Sequence, residues 1–109
     1  MTPLPGRPVR GSTTGRPVMA LLDLLGRRWT LRILWELRDG AEPTFRELQQ
    51  RCDGVSSSVL ATRLRELAEA DLADHGGDGY ALTEQGRSLF GTLVRLDAWA
   101  ADWRPRQPS

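Results

Sequence analysis

The sequence has no lysine, one cysteine (Cys52), one histidine (His75) and no apolar run that approaches membrane-spanning length. Each scarcity excludes something. One thiol forbids an internal disulfide and agrees with a reducing compartment. One imidazole, in a polar stretch beside Asp74, leaves no convergent set of ligands for a metal and no partners for a catalytic triad. No enzyme is implied, and neither a metal nor a cofactor is expected. The longest apolar stretch, VMALLDLLG, is interrupted by Asp23 and is far shorter than the roughly 20 residues that a membrane helix needs. The opening MTPLPGRPVRGSTTGRPV has no signal-like apolar segment, so a cytoplasmic protein is expected. Because every cation is arginine, bidentate contacts to phosphate or guanine would be well served, but a genome-wide composition bias is the better explanation of the missing lysine, which carries little weight here.

What remains is a chain of 109 residues with 39% hydrophobic and 27% charged content, enough for one globular domain and too little for two. Its net charge of +1 conceals an asymmetry: residues 1–67 hold eleven arginines against seven acids, and residues 68–109 hold four against seven. Positive potential is therefore concentrated in the first part. Residues 1–16, rich in Pro, Gly, Ser and Thr, read as a flexible basic arm, either a plain leader or a segment that touches a polyanion. Residues 17–103 form the folded domain, and 104–109 a flexible tail.

Pro17 suits a first helical turn, and Met19, Leu21, Leu22, Leu24 and Leu25 make an almost wholly apolar short helix ending near Gly26. Having so little polar face, it is expected to be buried on most sides. A second helix is predicted over about Arg28 to Arg38, with Trp29, Ile33, Leu34 and Leu37 inward and Asp39-Gly40 closing it. In TFRELQQRC, Thr44 and Glu47 have the spacing of a capping box, which fixes a helix start near Phe45. Gly54 and Val55 form a turn, one of Ser56, Ser57 and Ser58 caps the next helix, and that helix continues to about Ala70. Two short helices around a tight glycine-containing turn form a helix-turn-helix.

At about 100° per residue, Leu60, Leu64 and Leu67 share one narrow stripe of this helix, while Ser58, Thr62, Arg65 and Glu69 lie opposite. Short hydroxyl side chains at the amino end let the backbone come close to a phosphate or base edge, and the free amides and dipole there attract phosphate. Arg65, a turn further on, has the reach and shape for guanine or phosphate. The bland alternative is that the serines only cap and the remainder is ordinary surface. After Leu72 the pattern takes period two: ADHGGDGYALT reads as a hairpin, with Leu72, Tyr80 and Leu82 inward and GGDG as the turn. Thr83 caps a last helix, in which Leu89, Leu93, Leu96, Ala100 and Trp103 recur at spacings of four and three over about two heptads. That seam, together with Trp99, either packs on its own domain or pairs with a second copy; a second copy accounts better for the surplus apolar surface.

Five segments in order, LLGRRWTLRILWEL, DG, TFRELQQRC, GVSSSVLATRLRELAEADL and YALTEQGRSLF with Trp99 downstream, resemble the HxlR-type winged helix-turn-helix transcriptional regulators, relatives of the MarR group, over about residues 17–103. The resemblance implies a mainly α fold with a small β-hairpin and a homodimer formed by the first and last helices. It also implies recognition helices in successive major grooves of duplex DNA. The residues expected to contact DNA are Ser56, Ser57, Ser58, Thr62 and Arg65 near base edges or adjacent phosphates, with Arg28, Arg46 and Arg63 along the backbone. Arg28 stands where the family has a lysine, and Arg63 has Glu66 or Glu47 as an alternative partner. The expected interface residues are Leu21, Leu22, Leu25, Leu93, Leu96, Trp99 and Trp103.

The sequence also departs from the family. Many members carry a sensing cysteine in a Cys-Pro-Val context, where this chain has Arg16-Pro17-Val18, so that mechanism is not carried over. Cys52 reads as a buried small side chain. Asp71 replaces the glycine that usually closes the recognition helix, and the hairpin, with Asp74 and Asp78 and no arginine between Arg65 and Arg87, is a poor phosphate clamp. A small-molecule effector of unassigned chemistry stays open. The competing function is a winged-helix module that binds another protein through the serine face.

Overall fold

In a computed structural model, residues 16–106 are described; of the basic arm assigned to residues 1–16 only Arg16 falls within them, and the tail is described as far as Arg106. Among the described residues the order is α1 (Pro17–Leu25), α2 (Thr30–Glu36), α3 (Phe45–Cys52), α4 (Ser57–Glu69), β1 (Ala73–His75), β2 (Tyr80–Leu82) and α5 (Glu84–Asp102). The expected mainly helical fold with one small hairpin is what the chain adopts. No helix among the described residues is long and apolar enough to cross a membrane.

The helix starts follow side-chain chemistry. The Thr44 hydroxyl accepts from the Glu47 amide at 3.2 Å, and the Glu47 carboxylate accepts from the Thr44 amide at 2.9 Å, completing the capping box. These bonds, the backbone one first, hold the Glu47 carboxyl below the usual carboxylate range. Ser56 is the serine that caps α4, accepting from Val59 N at 3.2 Å, and Thr83 caps α5 through Gly86 N at 3.0 Å. The far end of α4 closes with Asp71 at φ 55: its amide donates to Ala68 O at 3.0 Å and the Leu72 amide to Leu67 O at 2.9 Å. That pair of bonds is a Schellman closure, with aspartate in the left-handed position that glycine usually fills.

Two expectations need correction. The second helix begins at Thr30, not Arg28, because Trp29 adopts a left-handed backbone (φ 80) that ends helical continuity at the corner after α1. The first helix is also not buried on most sides. It commits Ala20, Leu24 and Leu25 to the interior and leaves Val18, Met19 and Leu22 exposed, since one chain's core covers only one face of it.

The core joins Ile33, Leu34 and Leu37 of the α2 region, Leu48 and Cys52 of α3, Leu60, Leu64 and Leu67 of α4, and Leu72, Ala73 and Leu82 of the hairpin. The hairpin is antiparallel, Ala73 opposite Leu82 and His75 opposite Tyr80, and it is fastened to the α2–α3 loop by Tyr80 N donating to Pro43 O at 2.9 Å. From Gly91 onward α5 is exposed except for half-buried Leu93, so its last turns project from the body by roughly 13 Å, at 1.5 Å per residue.

The two glycines of α5 differ in what surrounds them. A Cβ on Gly86 would overlap the Leu72 carbonyl, whereas one on Gly91 meets nothing within 4 Å. Gly91→Ala is expected to raise unfolding stability by about 0.5–1 kcal/mol through helix propensity. Gly86→Ala is expected to lower it despite the same propensity gain, because the clash with backbone cannot relax cheaply. Urea unfolding of both variants checks the opposite signs.

Candidate nucleic-acid interface

Helix α4 carries the site. Its leucines at 60, 64 and 67 are 0%, 6% and 0% exposed, so the opposite face must point outward. On that face Ser58 and Arg65 are exposed and Thr62 is half-buried, while Ser56 and Ser57 are exposed at the amino end of the helix. The hydroxyls are not equivalent. Ser56 Oγ serves the cap, and Thr62 Oγ1 donates back to Ser58 O at 3.0 Å, which leaves Ser57 and Ser58 as the hydroxyls least used by the helix itself. Ser58 Oγ lies 3.4 Å from Ser56 Oγ. Arg65 is 64% exposed and meets Glu69 only at 4.0 Å, a loose pair that an incoming phosphate or base can replace.

The turn ahead of α4 is braced from α3. Gln49 Nε2 donates to Val55 O at 3.2 Å, and Asp53 and Gly54 take positive φ values of 43° and 111°. The brace sets where the amino end of α4 emerges. On α3, Arg46 is exposed and has no hydrogen bond or ion pair among the described residues. The Arg28 guanidinium, also exposed, lies 5.5 Å from the Trp29 ring centre, a cation–π contact at the corner between α1 and α2.

Arg63 is placed differently from a backbone clamp. Its Nε donates to Arg28 O at 2.8 Å and its Nη1 to Glu66 Oε1 at 2.9 Å, with 20% of the side chain exposed. Glu66, not Glu47, is the partner, because position 63 lies beside the leucine stripe and its guanidinium is drawn inward. In the hairpin, Asp74 and Asp78 are exposed, the turn is Gly76-Gly77-Asp78-Gly79, residues 73–82 hold no arginine, and His75 meets Tyr80 edge-on at 4.8 Å.

Of the residues assigned to an interface between copies, Leu22, Leu96, Trp99 and Trp103 are exposed, the last three at 59%, 63% and 57%. Trp99 and Trp103 stack with ring centres 6.0 Å apart. Leu21 and Leu93 are half-buried against the core. Leu25 is buried at 7% in the chain's own core and has almost no surface to offer, a consequence of its position at the end of α1 facing α2. Residues not singled out in the sequence are Val18, Leu31, Trp35 and Val94, each exposed; Leu31 and Trp35 recur at i, i+4 on α2, a spacing that reads equally as core.

The profile of the HxlR-like helix-turn-helix family matches residues 24–108. An HTH-type transcriptional regulator of Methanocaldococcus jannaschii is 30% identical over 90 residues, covering 79% of this chain and 84% of the relative. One from Mycobacterium tuberculosis is 38% identical over 99 residues, 84% of this chain, which spans only 61% of that longer relative. Among solved structures, quinone-bound YodB of Bacillus subtilis superposes with a TM-score of 0.74 at 30% identity, over 79% of this chain and 97% of YodB.

Cys52 is 1% exposed, and burial, reinforced by the Glu36 carboxylate, pushes its thiol up from the ordinary range. A raised value leaves the protonated, unreactive form in place at neutral pH. Iodoacetamide at pH 7 is expected to label the folded chain far more slowly than the denaturant-unfolded chain, as read by intact mass. Equal rates would mean that the α3 end opens readily.

Proposed function

This chain belongs to the HxlR-like helix-turn-helix family of DNA-binding transcriptional regulators, and we propose that it acts as a cytoplasmic homodimer that sets one α4 from each protomer in successive major grooves of a pseudo-palindromic operator. The observation that carries this reading is the two-sidedness of α4: leucines wholly inward, serine hydroxyls exposed at the amino end and Arg65 exposed two turns further along. Ser57, Ser58, Thr62 and Arg65 approach base edges or neighbouring phosphates. Ser56 keeps the helix end in register by capping it, and Arg28 and Arg46 hold the phosphate backbone. The hairpin is a wing that offers glycine amides and little else.

Pairing of protomers is supported by the apolar surface of α1 (Val18, Met19, Leu22) and of the projecting end of α5 (Leu96, Trp99, Trp103). Exposed aromatic and aliphatic groups at this density mark a contact surface on a soluble chain. The domain that pairs and reads spans residues 17–103, flanked by the basic arm and the short tail.

Selection of fragments from a random duplex pool with the purified chain tests the reading. Two-fold symmetric half-sites about 34–36 Å apart are expected, together with a slope of log affinity against log salt of roughly −7 if the dimer neutralises on the order of eight phosphates. No enrichment and no salt-sensitive mobility shift would sink it and leave a protein-binding module. On the selected operator, Arg65→Ala is expected to cost about 1–3 kcal/mol and to relax preference at one position of each half-site. An equal loss on every sequence would reassign Arg65 to a phosphate.

A further inference from the structure

Four charged side chains connect the helix that exposes apolar surface to the helix that faces outward. Arg27, in the corner between α1 and α2, donates through Nη2 to Asp23 Oδ2 of α1 at 3.2 Å and through Nη1 to Glu66 Oε2 of α4 at 2.6 Å. The other Glu66 oxygen accepts from Arg63 Nη1 at 2.9 Å, and Arg63 Nε returns to the corner by donating to Arg28 O at 2.8 Å. The signs alternate, and both oxygens of Glu66 are occupied. The side chains of Arg27, Glu66 and Arg63 are 23%, 15% and 20% exposed, so this chain of bonds is less screened than an ordinary surface pair.

The corner so held is itself strained, since Trp29 keeps a left-handed backbone that a bulky residue retains only where its surroundings over-determine it. Burial of the leucine stripe decides which face of α4 turns inward, but as a non-directional attraction it sets the tilt of the helix on the core less sharply. Two directional bonds from α4 to the corner, Arg27 to Glu66 and Arg63 to the Arg28 carbonyl, do fix that tilt, and the Glu66–Arg63 pair within α4 couples them.

We propose that Glu66 is a positioning residue for operator recognition. By holding Arg27 of the corner and Arg63 of α4 together, it sets the angle between the helix that pairs protomers and the helix that reads the groove. Through that angle it sets the half-site spacing the dimer accepts. The proposal rests on the homodimeric regulator reading above, and it moves Arg63 from phosphate contact to brace.

The test is affinity across operators whose half-sites are moved together or apart by a base pair or two. The wild-type chain is expected to peak sharply at one spacing. Glu66→Gln, of the same size without the charge, is expected to lose about tenfold at that spacing and less at its neighbours, so the profile flattens, while the salt slope stays unchanged. Arg63→Gln should flatten it likewise at constant slope; a phosphate contact would instead reduce the slope by about one per protomer. If circular dichroism shows that Glu66→Gln does not fold, Arg27→Gln carries the same test, because it leaves the Glu66–Arg63 pair in place. An unchanged profile in folded variants, or the same loss at every spacing, overturns the proposal. A wild-type chain that binds no duplex at any spacing overturns the regulator reading and this one with it, and is thereby told apart from a sharp wild-type profile that the variants share.

Discussion

Burial of Leu60, Leu64 and Leu67 in the same cluster as Ile33, Leu34 and Leu48 is the contact on which the rest of the molecule depends. Each such side chain removed from water contributes about 1.5–3 kcal/mol, and three on one stripe leave α4 a single way to lie. Everything opposite that stripe is then turned outward whatever its chemistry. The ends of the helix agree with this placement: Ser56 satisfies an amide at the start, and the left-handed Asp71 redirects the chain so that Leu72 re-enters the core and begins the hairpin. A change in the leucine stripe would therefore disturb the outward face, the wing and the start of α5 together.

The outward face is shaped as much by what its side chains do for their own helix as by their identity. Thr62 returns its hydroxyl to Ser58 O, and Ser56 spends its oxygen on the cap. Arg63 is taken out of the surface by Glu66 and a backbone carbonyl. What is left for a groove is compact: two serines, a threonine methyl and Arg65, with Arg46 beside them on α3 and Arg28 at the corner. The hairpin adds no positive charge to this set, since it contributes Asp74 and Asp78 and no arginine.

The apolar residues fall into two populations. One closes the core. The other, on α1 and the projecting part of α5, is left exposed among the described residues, with the stacked pair Trp99 and Trp103 in it. The thiol belongs wholly to the first: Cys52 is held protonated in the interior, and the place where many relatives carry a sensing cysteine has Arg16.

Local rules carried much of the structure because they act within a few residues. The capping box at Thr44, a serine cap for α4, the cap at Thr83, the leucine stripe of α4, the period-two hairpin and the left-handed Asp71 are all set by neighbours in sequence, and each was legible there, although which of the three serines caps was not. The late start of α2 was not, since nothing local marks a tryptophan for positive φ; the corner is imposed by elements packed on both sides of it. Nor was the fate of Leu21, Leu22 and Leu25 legible, three leucines of one short helix of which one is buried, one half-buried and one exposed, because periodicity names a face without saying how much of it the rest of the chain can cover. The ring of bonds through Asp23, Arg27, Glu66 and Arg63 joins residues up to 39 positions apart. The sequence determined which side of α4 would face out, through spacing alone; only tertiary packing decided which arginines stay exposed and which are bonded to carboxylates, because that choice depends on acidic groups brought near from distant parts of the chain.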